Sequence, residues 1–105
     1  SAAAAGVTIP DDERVMIVNG DGDNTYPISG FTWLLVCPNQ TDAAKALALT
    51  RAIWWGVHDG QVGIDKLGYA PLPAPAIAAD EKQILKITID GKQALPADIA
   101  ASVAS

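Results

Sequence analysis

The sequence predicts a mixed α/β fold, on three observations. Phe31-Thr-Trp-Leu-Leu-Val-Cys37 is an almost unbroken apolar run, the pattern of a strand covered on both faces in a parallel or mixed sheet. From Ala43 to about His58, apolar residues recur at helical spacing around most of the circumference. Leu85, Ile87 and Ile89 alternate with polar neighbours ahead of an Asp90-Gly91 turn, as a short half-buried strand does.

In chain order, Ser1-Ala-Ala-Ala-Ala-Gly6 has the character of a helix tail closed by Gly6 as a C-cap. Arg14-Val-Met-Ile-Val18 is a β-branched apolar run after a Pro10-Asp-Asp turn and is expected as a strand. Asn19-Gly-Asp-Gly-Asp-Asn24 is a dense turn-forming loop. Pro38 closes the Phe31–Cys37 strand. Thr41-Asp42 supplies an N-cap for the long helix, with Ala46, Leu49, Ile53 and Val57 on one seam and Leu47 and Trp54 on a second face. Such a helix is expected to be largely buried. Asp59 is placed to cap a second short helix carrying Val62, Ile64 and Leu67 and stopping at Gly68. Tyr69-Ala-Pro-Leu-Pro73 is a proline-fixed extended stretch, and Pro75 suits the first position of a helix running to the mid-80s. The weakly apolar tail after Leu95 is expected to fray.

Composition excludes several functions. Twelve acidic residues outnumber seven scattered Lys and Arg, for a formal net charge of −5 in 105 residues. That leaves no basic stripe to neutralise nucleic-acid phosphates or an anionic membrane. Cys37 is the one cysteine, so neither an internal disulfide nor a cysteine-rich metal site can form. No apolar run reaches the ~18 residues of a membrane-spanning helix. The N-terminal residues lack the basic and apolar regions of an intact signal peptide.

Individual constellations point to ordinary structural roles. Asp21, Asp23 and Thr25 alternate like calcium ligands, but the twelfth loop position, where a bidentate acid is needed, is Thr32. Arg51 and His58 share a helical face beside Trp54 and Trp55, where a half-buried histidine near a helix C-terminus is the simpler account. Cys37 with His58 lacks an oxyanion site and suits packing better than nucleophilic catalysis. Asp11-Asp12-Glu13 is expected as an exposed acidic turn. No catalytic, phosphate-binding or metal-binding residue and no cofactor is assigned, and the chain is expected not to be an enzyme.

Four segments carry a resemblance. Tyr26-Pro-Ile-Ser-Gly-Phe-Thr-Trp-Leu-Leu-Val36, Trp55-Gly-Val-His-Asp-Gly-Gln61, Leu67-Gly-Tyr-Ala-Pro-Leu-Pro73 and Ile87-Thr-Ile-Asp-Gly-Lys92 resemble, in order and spacing, the C-terminal third of phosphate-binding proteins of ABC transporters. Cys37-Pro38 and the doubled Trp54-Trp55 depart from that pattern. The resemblance implies a type II periplasmic binding protein fold: two lobes, each a mixed sheet flanked by helices. Residues 1–30 would end the second lobe and begin the hinge crossing, 31–95 would complete the first lobe, and 96–105 would be a flexible tail. Pro27 and Gly30 suit a bending crossing strand. The implied partners are the N-terminal remainder of the fold, inorganic phosphate through that remainder, and a membrane permease. The implied location is periplasmic or otherwise extracytoplasmic. The implied anion ligands lie outside this chain. Ser29 and Thr32 stand near the implied crossing, where small hydroxyls more simply satisfy local backbone groups. The alternative is a stand-alone interaction domain of the same fold without phosphate binding.

Overall fold

Asp42 starts the helix that organises the chain. Its backbone is extended and its carboxylate accepts from the Lys45 amide at 3.1 Å, tying up an N–H that the first helical turn leaves unpaired. Helix α1 follows over Ala43–Val57. The computed structural model describes residues 2–4 and 6–103. Among them are two further helices, α2 (Ala74–Ile84) and α3 (Ala97–Val103), and 3-10 turns at Ala2–Ala4, Asp59–Gln61 and Ile64–Leu67. Three strands of two residues each complete the set: β1 (Asn39–Gln40), β2 (Thr88–Ile89) and β3 (Lys92–Gln93).

The strands form one mixed sheet in the order β1-β2-β3. β1 and β2 run parallel, with Asn39 opposite Thr88, and the Thr88 amide donates to the Pro38 carbonyl at 2.7 Å. A parallel pair requires a long crossover, which α1 and α2 provide. β2 and β3 are a hairpin joined by Asp90 and Gly91, whose φ values of 50° and 74° are the two left-handed positions of a type I′ turn. The chain is thus a small α/β domain, with α1 against the sheet and α2 against α1.

Burial is divided between two clusters. Ala46, Ile87 and Ala94 are buried together, with Val36, Ile53 and Ile89 packed on them. Ala3, Ala4 and Ile17 form a second cluster with Val7 and Phe31. Thr50, fully buried one turn beyond Ala46, donates its hydroxyl to the Ala46 carbonyl at 2.9 Å, so the polar atom is satisfied inside its own helix.

The two long helices occur where expected, α2 beginning at Ala74, which puts Pro75 second. The short helix expected after Asp59 is instead two 3-10 turns, Asp59–Gln61 and Ile64–Leu67, with Val62 between them; neither has a side-chain cap, and Gly68 with φ 82° ends the second. Residues expected to fray form α3 instead. Ala104 and Ser105, at the tail's end, lie outside the described residues, as do Ser1 and Ala5 of the expected N-terminal helix tail. The larger correction concerns the two apolar runs. Arg14–Val18 forms no strand: residues 14–17 have no regular structure and Val18 begins a turn, with Ile17 buried while Met16 and Val18 face solvent. Phe31–Cys37 is in no sheet, and among the described residues no backbone–backbone hydrogen bond involves 28–37. The dipeptide after Pro38 enters the sheet in its place. Leu34 is 77% exposed and Leu35 98%. A strand of that composition needs partners on both edges and cover on both faces, and no element described here supplies them. Helix α1 is likewise less enclosed than its pattern implies, since Leu47 and Trp55 are exposed.

The surface reflects this. A compact chain of 10.9 kDa exposes about 5,600 Å², whereas this one exposes 7411 Å². Its radius of gyration, 15.1 Å, exceeds the ~13 Å of a globule of about 100 residues. Much apolar surface is left without cover.

Two substitutions separate the core from that uncovered surface. Ile87→Ala empties the joint between α1 and the sheet and is expected to cost about 2–5 kcal/mol of unfolding free energy in urea denaturation. Leu35→Ala, on an exposed side chain, is expected to shift it by less than about 0.5 kcal/mol.

Candidate functional site

A constellation of polar contacts lies where the end of α1 meets α2. The Trp55-to-Gln61 segment builds it. At Gly60 an added Cβ would sit 3.0 Å from both the Trp55 ring and the Trp55 carbonyl oxygen, so glycine is what lets the chain fold back beneath the indole. Gln61 follows at once. Its Nε2 donates to the Gly56 carbonyl at 2.7 Å, and its Oε1 accepts from the Leu72 amide at 2.8 Å. One side-chain amide therefore staples the proline-rich segment 69–73 to the C-terminal turn of α1.

His58 makes the second tie. Nδ1 lies 2.8 Å from the Trp54 carbonyl and Nε2 lies 2.8 Å from Glu81 Oε1 on α2. Both partners are acceptors, so the doubly protonated imidazolium satisfies both bonds. The ring also stacks on Trp54, with centroids 4.1 Å apart and planes 26° from parallel, which favours the cation by about 0.5–1 kcal/mol. Burial works against the charge. The Glu81 hydrogen bond, the Trp54 carbonyl and the charges of Glu81 and Asp59 outweigh it, and the imidazole pKa is raised. The stabilisation is then complete below the ordinary imidazole value of about 6.5 and is lost as pH rises through the higher folded value.

Beside this joint is a cleft of about 520 Å³ with apolar walls that include Phe31, Trp33, Leu35, Ile53 and Ile84. Its polar residues are Glu13, Thr32, Asp80, Gln83 and Lys86. Glu13 has φ 58°, in the left-handed region, and Trp33 Nε1 donates to its carbonyl at 3.0 Å. The Gln83 side-chain amide donates to the Asp11 carbonyl. Asp80 faces Glu13. Burial, then the charge and hydrogen bond of Glu13, raise its pKa to about 6, against the opposing charge of His58.

The arrangement disfavours an anion. Two carboxyl groups and one lysine line the cleft, and the excess of like charge repels a phosphate. Nor do the two long helices offer their N-termini, the usual anion sites. The first turn of α1 is already capped by the Asp42 carboxylate, and Pro75 removes an N–H from the first turn of α2.

The other candidate residues are dispersed. Ser29 Oγ donates to the Tyr26 carbonyl at 3.0 Å, a local backbone contact, while Thr32 lines the cleft. In the acidic loop the Thr25 hydroxyl donates to the Asp21 carbonyl at 2.9 Å, and Gly22 adopts φ 111°. Arg51 is exposed, and His58 pairs with Glu81 instead. Cys37 is exposed too, its carbonyl accepting from Gln40 Nε2. Asp11 and Asp12 are surface residues, and Asp12 pairs with Arg14 at 2.8 Å. Glu13 corrects the expected exposed turn: its Oε1 is buried. Sequence reasoning missed Glu13, Asp80 and Glu81 because nothing in their spacing announces that residues 67 and 23 positions apart meet.

Comparison with known proteins adds a likeness to a phosphate-binding protein. Over 62 residues the chain is 31% identical to the phosphate-binding protein PstS of Xylella fastidiosa (strain 9a5c). The matched stretch is 59% of this chain but 17% of that relative, so the chain spans a small part of the relative's length. No family model matches the chain, and no solved structure matches it.

Two measurements check the joint. Glu81→Gln removes the charge and weakens the acceptor opposite Nε2, and is expected to move the titration of the single histidine to lower pH in proton NMR. Gln61→Ala leaves the Leu72 amide and the Gly56 carbonyl without their partner, for an expected loss of about 1–3 kcal/mol in urea unfolding.

Proposed function

We propose that this chain is a segment of an extracytoplasmic solute-binding protein that captures inorganic phosphate for import by an ABC transporter. In this reading it supplies hinge and lobe core, and the anion ligands belong to the rest of a two-lobed fold. The observation that carries the proposal is the 62-residue likeness to a protein named for phosphate binding. The uncovered apolar segment supports the segment part of it: Phe31–Val36 has the composition of a central strand, yet its middle residues, Thr32 to Leu35, are all exposed. The acidic cleft and the occupied helix N-termini support placing the anion ligands elsewhere. No helix among the described residues is long and apolar enough to cross a membrane.

The proposed role is mechanical and not catalytic. Residues up to about 30 would end one lobe, Pro27 and Gly30 would bend as the lobes close, and the α1–α2–sheet unit would fill the core of the other. The remainder of the fold would lay strands along both bare edges of residues 31–36. A permease in the membrane would receive the closed, loaded protein.

The test has two arms. Calorimetry of this chain with millimolar inorganic phosphate is expected to show no saturable heat, and a clear isotherm would overturn the assignment of the ligands. Mixed with a separately expressed N-terminal remainder of the parent protein, the chain is expected to form a one-to-one complex that does bind phosphate. Leu34→Asp with Leu35→Asp is expected to block that assembly, because charges would then replace apolar side chains in a covered strand. A chain that stays monomeric and ignores the remainder would instead favour a stand-alone interaction domain.

A further inference from the structure

Glu13 presents a defect in hydrogen bonding that the rest of the chain does not explain. Its Oε1 is buried, and among the described residues no N–H or hydroxyl donates to it. A buried carboxylate oxygen without a donor costs about 1–3 kcal/mol or more. The group that does reach the Glu13 side chain is another carboxyl, that of Asp80 on α2. Two ionised carboxylates have no proton between them and repel each other. One proton removes both difficulties, since a carboxylic acid is a donor.

We propose that Asp80 and Glu13 share one proton, as a carboxylic acid–carboxylate latch that docks the segment around Glu13 on α2 and lets it go when the proton leaves. The docking depends on few other contacts. Trp33 Nε1 holds the Glu13 carbonyl and the Gln83 amide holds that of Asp11, while Met16 and Val18 on the same segment face solvent. Glu13 also sits at φ 58°, a conformation unfavourable for a residue with a Cβ, so the backbone there relaxes once the side chain is released. Glu13, Phe31 and Trp33 line the same cleft as Asp80, so release of the segment opens one wall of it.

The charges around the pair set the direction of its response. Glu13 faces Asp80 from the N-terminal segment and raises its proton affinity, together with burial. His58, at the end of α1, opposes this, and Glu81, next to Asp80 on α2, is paired with His58. The net effect puts loss of the proton near pH 6. In the unfolded chain Asp80 would lose its proton at about 4, so the folded state holds the extra proton between those values. The latch is therefore closed in acid, and its contribution falls as pH rises through about 6. His58 loses its own proton at higher pH and does not reverse the sign.

The intact chain tests this directly. Carbon-detected NMR of the Asp80 carboxyl is expected to show an inflection near pH 6, and Glu13→Gln is expected to lower its proton affinity by about tenfold or more. Protection of the Glu13 and Arg14 amides against hydrogen exchange, corrected for intrinsic rates, is expected to fall about tenfold between pH 5 and 7. In Asp80→Asn the amide donates to Glu13 at every pH, so that fall is expected to vanish. An ordinary Asp80 inflection near 4 would overturn the proposal, and so would protection that changes with pH alike in Asp80→Asn and the unmodified chain. Should Glu13→Gln fail to fold, the titration of the unmodified chain and the behaviour of Asp80→Asn still decide the matter.

Discussion

The contact on which this structure turns is the close approach of α1 to the sheet at Ala46. Only a methyl group stands between the helix backbone and Ile87 and Ala94, and all three are buried. The next buried position is Thr50, whose hydroxyl returns to the Ala46 carbonyl. A larger residue at 46 would push the helix off strands of two residues each, which have little hydrogen bonding of their own to resist it. The parallel pairing of Asn39–Gln40 with Thr88–Ile89 depends on the same contact, because the crossover between them is the helical layer itself.

The second constraint is the turn out of α1. Gly60 tucks under Trp55, Gln61 hydrogen-bonds on both sides, and His58 reaches Glu81. These ties fix α2 and the Pro-rich stretch before it relative to α1 through directional bonds instead of apolar area, which is scarce there. Two of the segments that resemble phosphate-binding proteins, 55–61 and 67–73, meet in this turn.

Against this ordered half stands the chain from Tyr26 to Cys37. Tyr26, Ile28, Trp33, Leu34 and Leu35 are all exposed, and the backbone from 28 to 37 makes no backbone–backbone hydrogen bonds among the described residues. In water such a segment carries two liabilities, since both its apolar faces and its open edges favour association. Burying one leucine side chain is worth about 1.5–3 kcal/mol, so covering Leu34 and Leu35 alone would supply a substantial driving force for a partner. The proposed lobe assembly draws on that force. Glu13 precedes this region and meets it through Trp33, whose Nε1 donates to the Glu13 carbonyl, while its proposed proton-sharing partner Asp80 stands on α2.

The helices and their caps were determined locally. Asp42, Gly68, the Asp90-Gly91 turn and the helical spacing of 43–57 act over three to seven residues, and each forms where its residues demand. The α/β class holds through them, whereas the run 31–37, on which the expectation also rested, forms no strand. For the candidate site, His58 near a helix end was readable, whereas Glu81 opposite it was not. The same limit hid the Glu13–Asp80 pair, in which Glu13 passed for part of an exposed acidic turn. Apolar composition likewise marked 31–37 as strand-forming, yet whether a strand forms depends on what lies beside it. Local steric and capping preferences are properties of the sequence alone. Sheet partners, burial and the protonation of facing carboxyls depend on distances between remote residues, and only the tertiary structure sets those.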